Sequence, residues 1–151
     1  MITIKEMAEM LGISTTTVSN VINGKTSEVS QKTAEKVQKL LDEYDYVPNM
    51  NAKNLAQNHS RLIGIVLKRR KDKYENIFTD PFHGELLGAL ESAIREQGYY
   101  MMIYISEDIE EIVRNIVGWN TEGLILIGML HDDYLKIRSK YKKPAVLIDS
   151  Y

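Results

Sequence analysis

The stretch IKEMAEMLGISTTTVSNVIN, Ile4 to Asn23, decides how this chain is read. Met7, Ala8 and Leu11 recur at helical spacing and give one apolar face. Gly12 follows where a left-handed residue would end that helix. Ser14 is suited to cap a second helix, because its hydroxyl can accept from a free N–H two or three residues on. Val18, Val21 and Ile22 give the second helix its own apolar face. Ala8 is small where the two helices must cross. The opposite face carries Thr15, Thr16, Ser19, Asn20 and Asn23, short neutral side chains that can bond base edges or phosphates. Spacing alone leaves two readings open. A helix-turn-helix presents its second helix to the major groove, but paired short helices are also a common packing unit with a solvated outer face.

Working outward, Gly24 to Glu28 reads as a loop. Ser30 caps a third helix with Ala34, Val37, Leu40, Leu41 and Tyr44 on one face, closing a three-helix core. Lys32, Glu35, Lys36, Lys39 and Asp42 are its solvated side. The spacing carries this helix toward Val47, where Pro48 drives the preceding residue to extended geometry and stops it. Asn49 to Gln57 is one more short helix, with Ala52, Leu55 and Ala56 at i, i+3 and i+4. A helix so short is marginal alone in water, so a partly disordered linker is the simplest expectation.

From Leu62 the texture changes. LIGIVL (62–67), YYMMIYI (99–105), GLILIG (123–128) and AVLID (145–149) are apolar runs that suit buried parallel strands. Helical patterns lie between them at 82–97, 108–117 and 132–140. The alternation predicts an α/β sheet with right-handed crossovers.

Composition sets the outer limits. The chain has 151 residues, no cysteine and a net charge of −2. Disulfides and thiolate metal sites are excluded. No apolar run approaches the roughly 20 residues that span a bilayer, and the first residues lack a secretory pattern; the expectation is a soluble, cytoplasmic protein. Residues 1–60 carry six lysines against seven carboxylates, where a basic footprint is usual for DNA binding. Nonspecific affinity should therefore be weak unless the lysines share a face. There is no Gly-rich phosphate cradle of either nucleotide type. His59, His83 and His131 are scattered without ligand spacing. No catalytic residue, metal site or cofactor is expected.

The N-terminal stretch resembles the lac-repressor-type (LacI/GalR) family of bacterial transcription regulators. It carries that family's pattern T-I-K-E-x-A-x-x-x-G-I-S-x-x-T-V-S-x-V-I-N with few interruptions. The resemblance implies an all-α helix-turn-helix headpiece (residues 1–46) and a hinge helix with linker (47–60). An incomplete parallel-sheet domain of the periplasmic-binding-protein-like class (61–151) follows. YVPNMNAKNLA looks like the family's hinge helix, which orders in the minor groove as a pair from two subunits. Leu55 falls on the leucine that wedges between base steps, and Ala52 and Ala56 would let the backbone approach the groove floor. The implied DNA-contacting set is Thr3, Ser14, Thr15, Thr16, Thr17, Ser19, Asn20, Asn23, Ser30, Asn49, Ala52, Lys53, Leu55 and Ala56. Asn20 is suited to adenine if it makes a bidentate pair.

DPFHGELLGALESAIREQGYYMMIY, TEGLILIG and KKPAVLIDS resemble the first half of the family's sensor domain. Open α/β sheets bind ligands beyond the carboxyl ends of their strands. By position Asp80, Phe82, His83, Asp149 and Ser150 could converge on one cleft, and the resemblance implies that these positions contact a small-molecule effector, with an aromatic stacking on a sugar or base ring and an aspartate accepting from hydroxyls. Asp80, His83 and Ser150 depart from the family's usual residues, which leaves the effector open, and Phe82 fits a core position equally well. The run KRRKDKYENIFT (68–79) is longer and more basic than the family's loop. It is either a solvated loop or a grip for an anionic effector. The resemblance thus implies a dimeric repressor of a palindromic operator, with effector control in the full-length form. Because the family's chain continues into a second lobe, it also implies an N-terminal fragment. The alternatives are a truncated DNA-binding modulator without effector control, or a small-ligand or carbohydrate-processing α/β enzyme with an N-terminal interaction module.

Overall fold

Local capping sets most of the helix limits. In this computed structural model, which describes residues 1–69 and 76–149, helix α1 spans Ile4–Leu11, α2 Thr15–Ile22 and α3 Gln31–Glu43. Thr3 and Glu6 close a capping box on α1: Glu6 N donates to Thr3 Oγ1, while Thr3 N donates back to Glu6 Oε2 at 2.8 Å. Ser14 accepts from Thr17 N at 3.0 Å and Ser30 from Thr33 N at 3.2 Å, so α2 and α3 begin as the sequence predicts. Gly12 ends α1 at φ 64, freely reached because glycine has no Cβ. Between α2 and α3 the expected loop contains a 3-10 turn, Thr26–Glu28.

The end of α3 corrects the sequence reading. It stops at Glu43, before Val47-Pro48, because Asp45 takes the left-handed conformation at φ 45. Tyr46 N then bonds back to Leu41 O at 2.9 Å. Such a cap brings the residue after the left-handed position onto the last helical turn. Tyr46, not Tyr44, therefore packs against the core, and Tyr44 is left exposed. The core of this first unit is Met7, Ala8, Val18, Val21, Val37 and Leu40.

Contacts divide the chain into two units, Met1–Lys53 and Asn54–Tyr151. The division falls inside helix α4, Met50–Gln57, which Asn49 caps by accepting from Asn51 N and Ala52 N. In the second unit, strands β1 (Leu62–Lys68), β2 (Tyr100–Ser106), β3 (Gly123–Ile127) and β4 (Ala145–Ile148) alternate with helices. These are α5 (Pro81–Glu96), α6 (Ile109–Gly118) and α7 (His131–Lys140). The described strands form one parallel sheet in the order β2-β1-β3-β4. Right-handed crossovers then place α5 on one face and α6 with α7 on the other. The side chains sort accordingly. Ile65, Leu67 and Ile127 bury against Leu87 and Ile94 of α5. Val66, Leu124 and Leu126 bury against Ile112, Ile116 and Ile137 of α6 and α7.

The segment entering β1 is held by one carboxylate. Glu122 Oε1 accepts from Arg61 N at 3.0 Å and faces His59 Nδ1 at 3.2 Å, while Ser60 Oγ donates to Asn120 O at 2.6 Å. The hydrogen bond from Arg61 N is the largest cause holding the Glu122 carboxyl below its ordinary value of 4.5. A depressed carboxyl contributes stability that is complete above the ordinary value and lost as pH falls through the folded one. Protection of the Arg61 amide, corrected for intrinsic exchange, is therefore expected to drop below pH 4.5 in the wild type. Glu122→Gln is expected to abolish that step.

Candidate nucleic-acid interface

The outer face of α2 is built from short polar side chains with different degrees of freedom. Thr15 and Thr16 are exposed. Ser14 and Thr17 bond each other through their hydroxyls at 2.8 Å. Asn23 folds back on its own helix, with Nδ2 donating to Ser19 O at 2.9 Å and to Ser19 Oγ at 3.2 Å, and its Oδ1 is buried without a partner. Asn20 Nδ2 donates to Glu28 Oε2 at 3.1 Å. Thr3 spends its hydroxyl proton on Glu6, and Ser30 Oγ donates to Thr33 Oγ1. The structure thus leaves Thr15 and Thr16 exposed, engages one donor of the half-buried Asn20, and occupies the hydroxyls of Thr3, Ser14, Thr17, Ser19 and Ser30 in local hydrogen bonds. Packing Met7, Ala8 and Val18 beneath this face fixes its direction relative to α1.

On α4, nothing is buried. Ala52, Leu55 and Ala56 are exposed and Lys53 is half-buried; Leu55 shows 85% of its surface. An isolated leucine so open gains nothing from the fold around it. Asn54 Nδ2 donates to Ser60 O at 3.0 Å at the end of the helix.

Residues 3–49 match the family described as bacterial regulatory proteins, lacI family. The HTH-type transcriptional regulator MalR of Streptococcus pneumoniae serotype 4 is 31% identical over 152 residues, covering 97% of this chain and 45% of that protein. This chain belongs to the lacI family. The HTH-type transcriptional repressor PurR of Vibrio vulnificus is 33% identical over 155 residues, covering 99% of this chain and 44% of PurR. Among solved structures, the lac repressor dimer bound to operator and the anti-inducer ONPF superposes with a TM-score of 0.82 at 27% identity. That match covers 99% of this chain and 45% of the other. The lacI-family chain described here spans about 45% of the length of these curated relatives.

The second candidate region lies at the carboxyl ends of the strands. Asp80 caps α5 by accepting from His83 N at 3.0 Å and meets His83 Nδ1 at 2.5 Å. These bonds, the backbone one first, hold its carboxyl below the ordinary aspartate value. Phe82 is 55% exposed, so it is not core as one sequence reading allowed; its ring stands edge-on to His83 with centroids 5.5 Å apart. Asp149 is exposed at φ 52 beyond β4, and Ser150 lies outside the described residues. Because β3 separates β1 from β4, the carboxyl ends of those two strands stand about 10 Å apart.

Sequence reasoning missed one pair here. An order of β2-β1-β3-β4 puts the topological switch point between β1 and β3. Lys68, the last residue of β1, donates from Nζ to Asp133 Oδ2 at 2.5 Å, and Asp133 on α7 is 5% exposed. The basic run therefore begins with a lysine whose charge is already matched; residues 70–75 of that run lie outside the described residues. Removing the buried charge by Asp133→Asn is expected to cost about 1.5–3 kcal/mol, the range for a hydrogen bond to a charged group. A lowered urea midpoint at the β1 and β3 amide resonances is the check.

Proposed function

We propose that this lacI-family chain is a sequence-specific DNA-binding regulator, acting as a repressor and not as an enzyme. It reads a palindromic operator as a dimer, with Thr15, Thr16 and Asn20 of α2 facing major-groove base edges and Leu55 of α4 in the minor groove. The reading rests on the outer face of α2, which is open, polar and rigidly backed, within a segment matching the lacI family over residues 3–49. The lac repressor structure it superposes on is a dimer bound to operator, which supports the palindrome. A small molecule, of which a sugar is the leading class, binds beyond the carboxyl ends of β1 and β3 and controls DNA affinity. Asp80, Phe82, His83 and Asp149 are the proposed contacts. The protein works in the cytoplasm; no helix among the described residues is long and apolar enough to cross a membrane.

Selection from a randomised duplex pool, followed by mobility shifts on the winner at several salt concentrations, tests this. The expected result is one enriched palindrome whose affinity falls log-linearly with salt. Equal affinity for the winner and a scrambled duplex would overturn the proposal.

A further inference from the structure

The hydrogen bond from Asn20 to Glu28 has a consequence for base reading. Gly24, at φ 73, turns the chain back after α2, and Lys25 N bonds to Asn20 O at 2.8 Å. The 3-10 turn that follows ends at Glu28 and brings its carboxylate to Asn20 Nδ2 at 3.1 Å. We propose that Glu28 is a positioning residue, which fixes the orientation of the Asn20 amide and so makes Asn20 an adenine reader. The inference rests on the DNA-binding reading above.

Donor and acceptor counts fix which way the amide faces. An ionised carboxylate only accepts, and a side-chain amide has two donor hydrogens and one acceptor oxygen. Turning the amide over would set Oδ1 against Glu28, acceptor against acceptor. The nitrogen therefore faces Glu28, and one N–H together with Oδ1 remains for DNA. That edge complements adenine, whose N7 accepts and whose N6 donates. An uncharged amide at position 28 removes the constraint, since it can donate to Oδ1 as readily as accept from Nδ2. The turned-over Asn20 would then offer two N–H groups, which suit the two acceptors N7 and O6 of guanine. Glu28 also repels phosphates, but that effect is blind to sequence and separable from base choice.

The test is selection from a randomised palindrome pool with the 151-residue chain, its Glu28→Gln and Asn20→Ala variants and the double variant. The wild type is expected to prefer adenine to guanine at one symmetric position by roughly tenfold or more, the discrimination of a good bidentate pair. Asn20→Ala should flatten that position. Glu28→Gln should bring adenine and guanine to within about threefold of each other there, and should change nothing further at that position when Asn20 is already alanine. A second measurement needs no DNA: the side-chain amide resonances of Asn20 in the free chain should shift on Glu28→Gln, and unmoved resonances refute the pairing. If Glu28→Gln strengthens binding to all sequences alike and leaves the adenine preference intact, Glu28 only repels phosphates and the inference is wrong. Loss of a cytosine preference at a neighbouring position, with adenine retained, would mean that Glu28 reads a base itself and also overturns it. A wild-type chain that enriches no sequence brings down the DNA reading as a whole, whereas the amide resonances still report on the pairing alone.

Discussion

Leu55→Ala is expected to weaken operator binding by about 10- to 100-fold, which is the free energy of burying a leucine side chain, about 1.5–3 kcal/mol, converted at 1.4 kcal/mol per decade. Leu55 is 85% exposed in the free chain, so the leucine has almost no stabilising contact to lose when DNA is absent. The whole effect should appear in the complex. A side chain that wedges between base steps kinks the duplex, and the alanine variant should therefore also reduce the bend measured by circular permutation mobility shifts. Thermal unfolding of α1 to α3 should move by no more than a surface substitution allows, about 0.5 kcal/mol. A variant complex that keeps the wild-type bend would remove Leu55 from the minor groove.

The second large effect is on folding. Met7 is fully buried at the centre of a core of six buried residues. Truncating a buried methionine to alanine costs about 2–5 kcal/mol, because contacts are lost and a cavity remains. At roughly 0.05–0.15 kcal/mol per residue, a unit the size of Met1–Lys53 has only about 3–8 kcal/mol to lose. Met7→Ala is thus expected to leave α1, α2 and α3 substantially unfolded at 37 °C and operator binding lost with them. The sheet unit has its own two core clusters, so amide protection in β1 and β3 should stay at wild-type levels. Loss of protection in both units together would show that they do not unfold independently.

The contrast between these two leucine- and methionine-centred effects follows the sequence pattern. Met7 sits with Ala8 and Leu11 in a repeat that other helices answer, whereas Ala52, Leu55 and Ala56 form a stripe that the described fold leaves uncovered. Periodicity alone registers both as apolar faces. Burial separates them.

What the sequence determined by itself was local. Ser14, Ser30 and Gly12 act within a few residues of themselves, so their caps could be read directly from spacing. Four apolar runs alternating with helical patterns were enough for a parallel α/β sheet, because parallel strands buried on both faces need continuous apolar runs and crossovers long enough for a helix. Tertiary structure decided the rest. Lys68 meets Asp133 across 65 positions and Arg61 meets Glu122 across 61; each contact exists only because the strand order brings the two ends together, and no spacing rule spans such a separation. The end of α3 turned on a left-handed aspartate and on Tyr46 finding the core, a choice between two tyrosines that helical periodicity assigned to Tyr44. Asn20 could be named as a base reader from its place on α2, but the carboxylate that orients it arrives from a turn eight residues later. A chain reversal at Gly24 made them neighbours, and chain reversals set side-chain partners by geometry that periodic patterns do not encode.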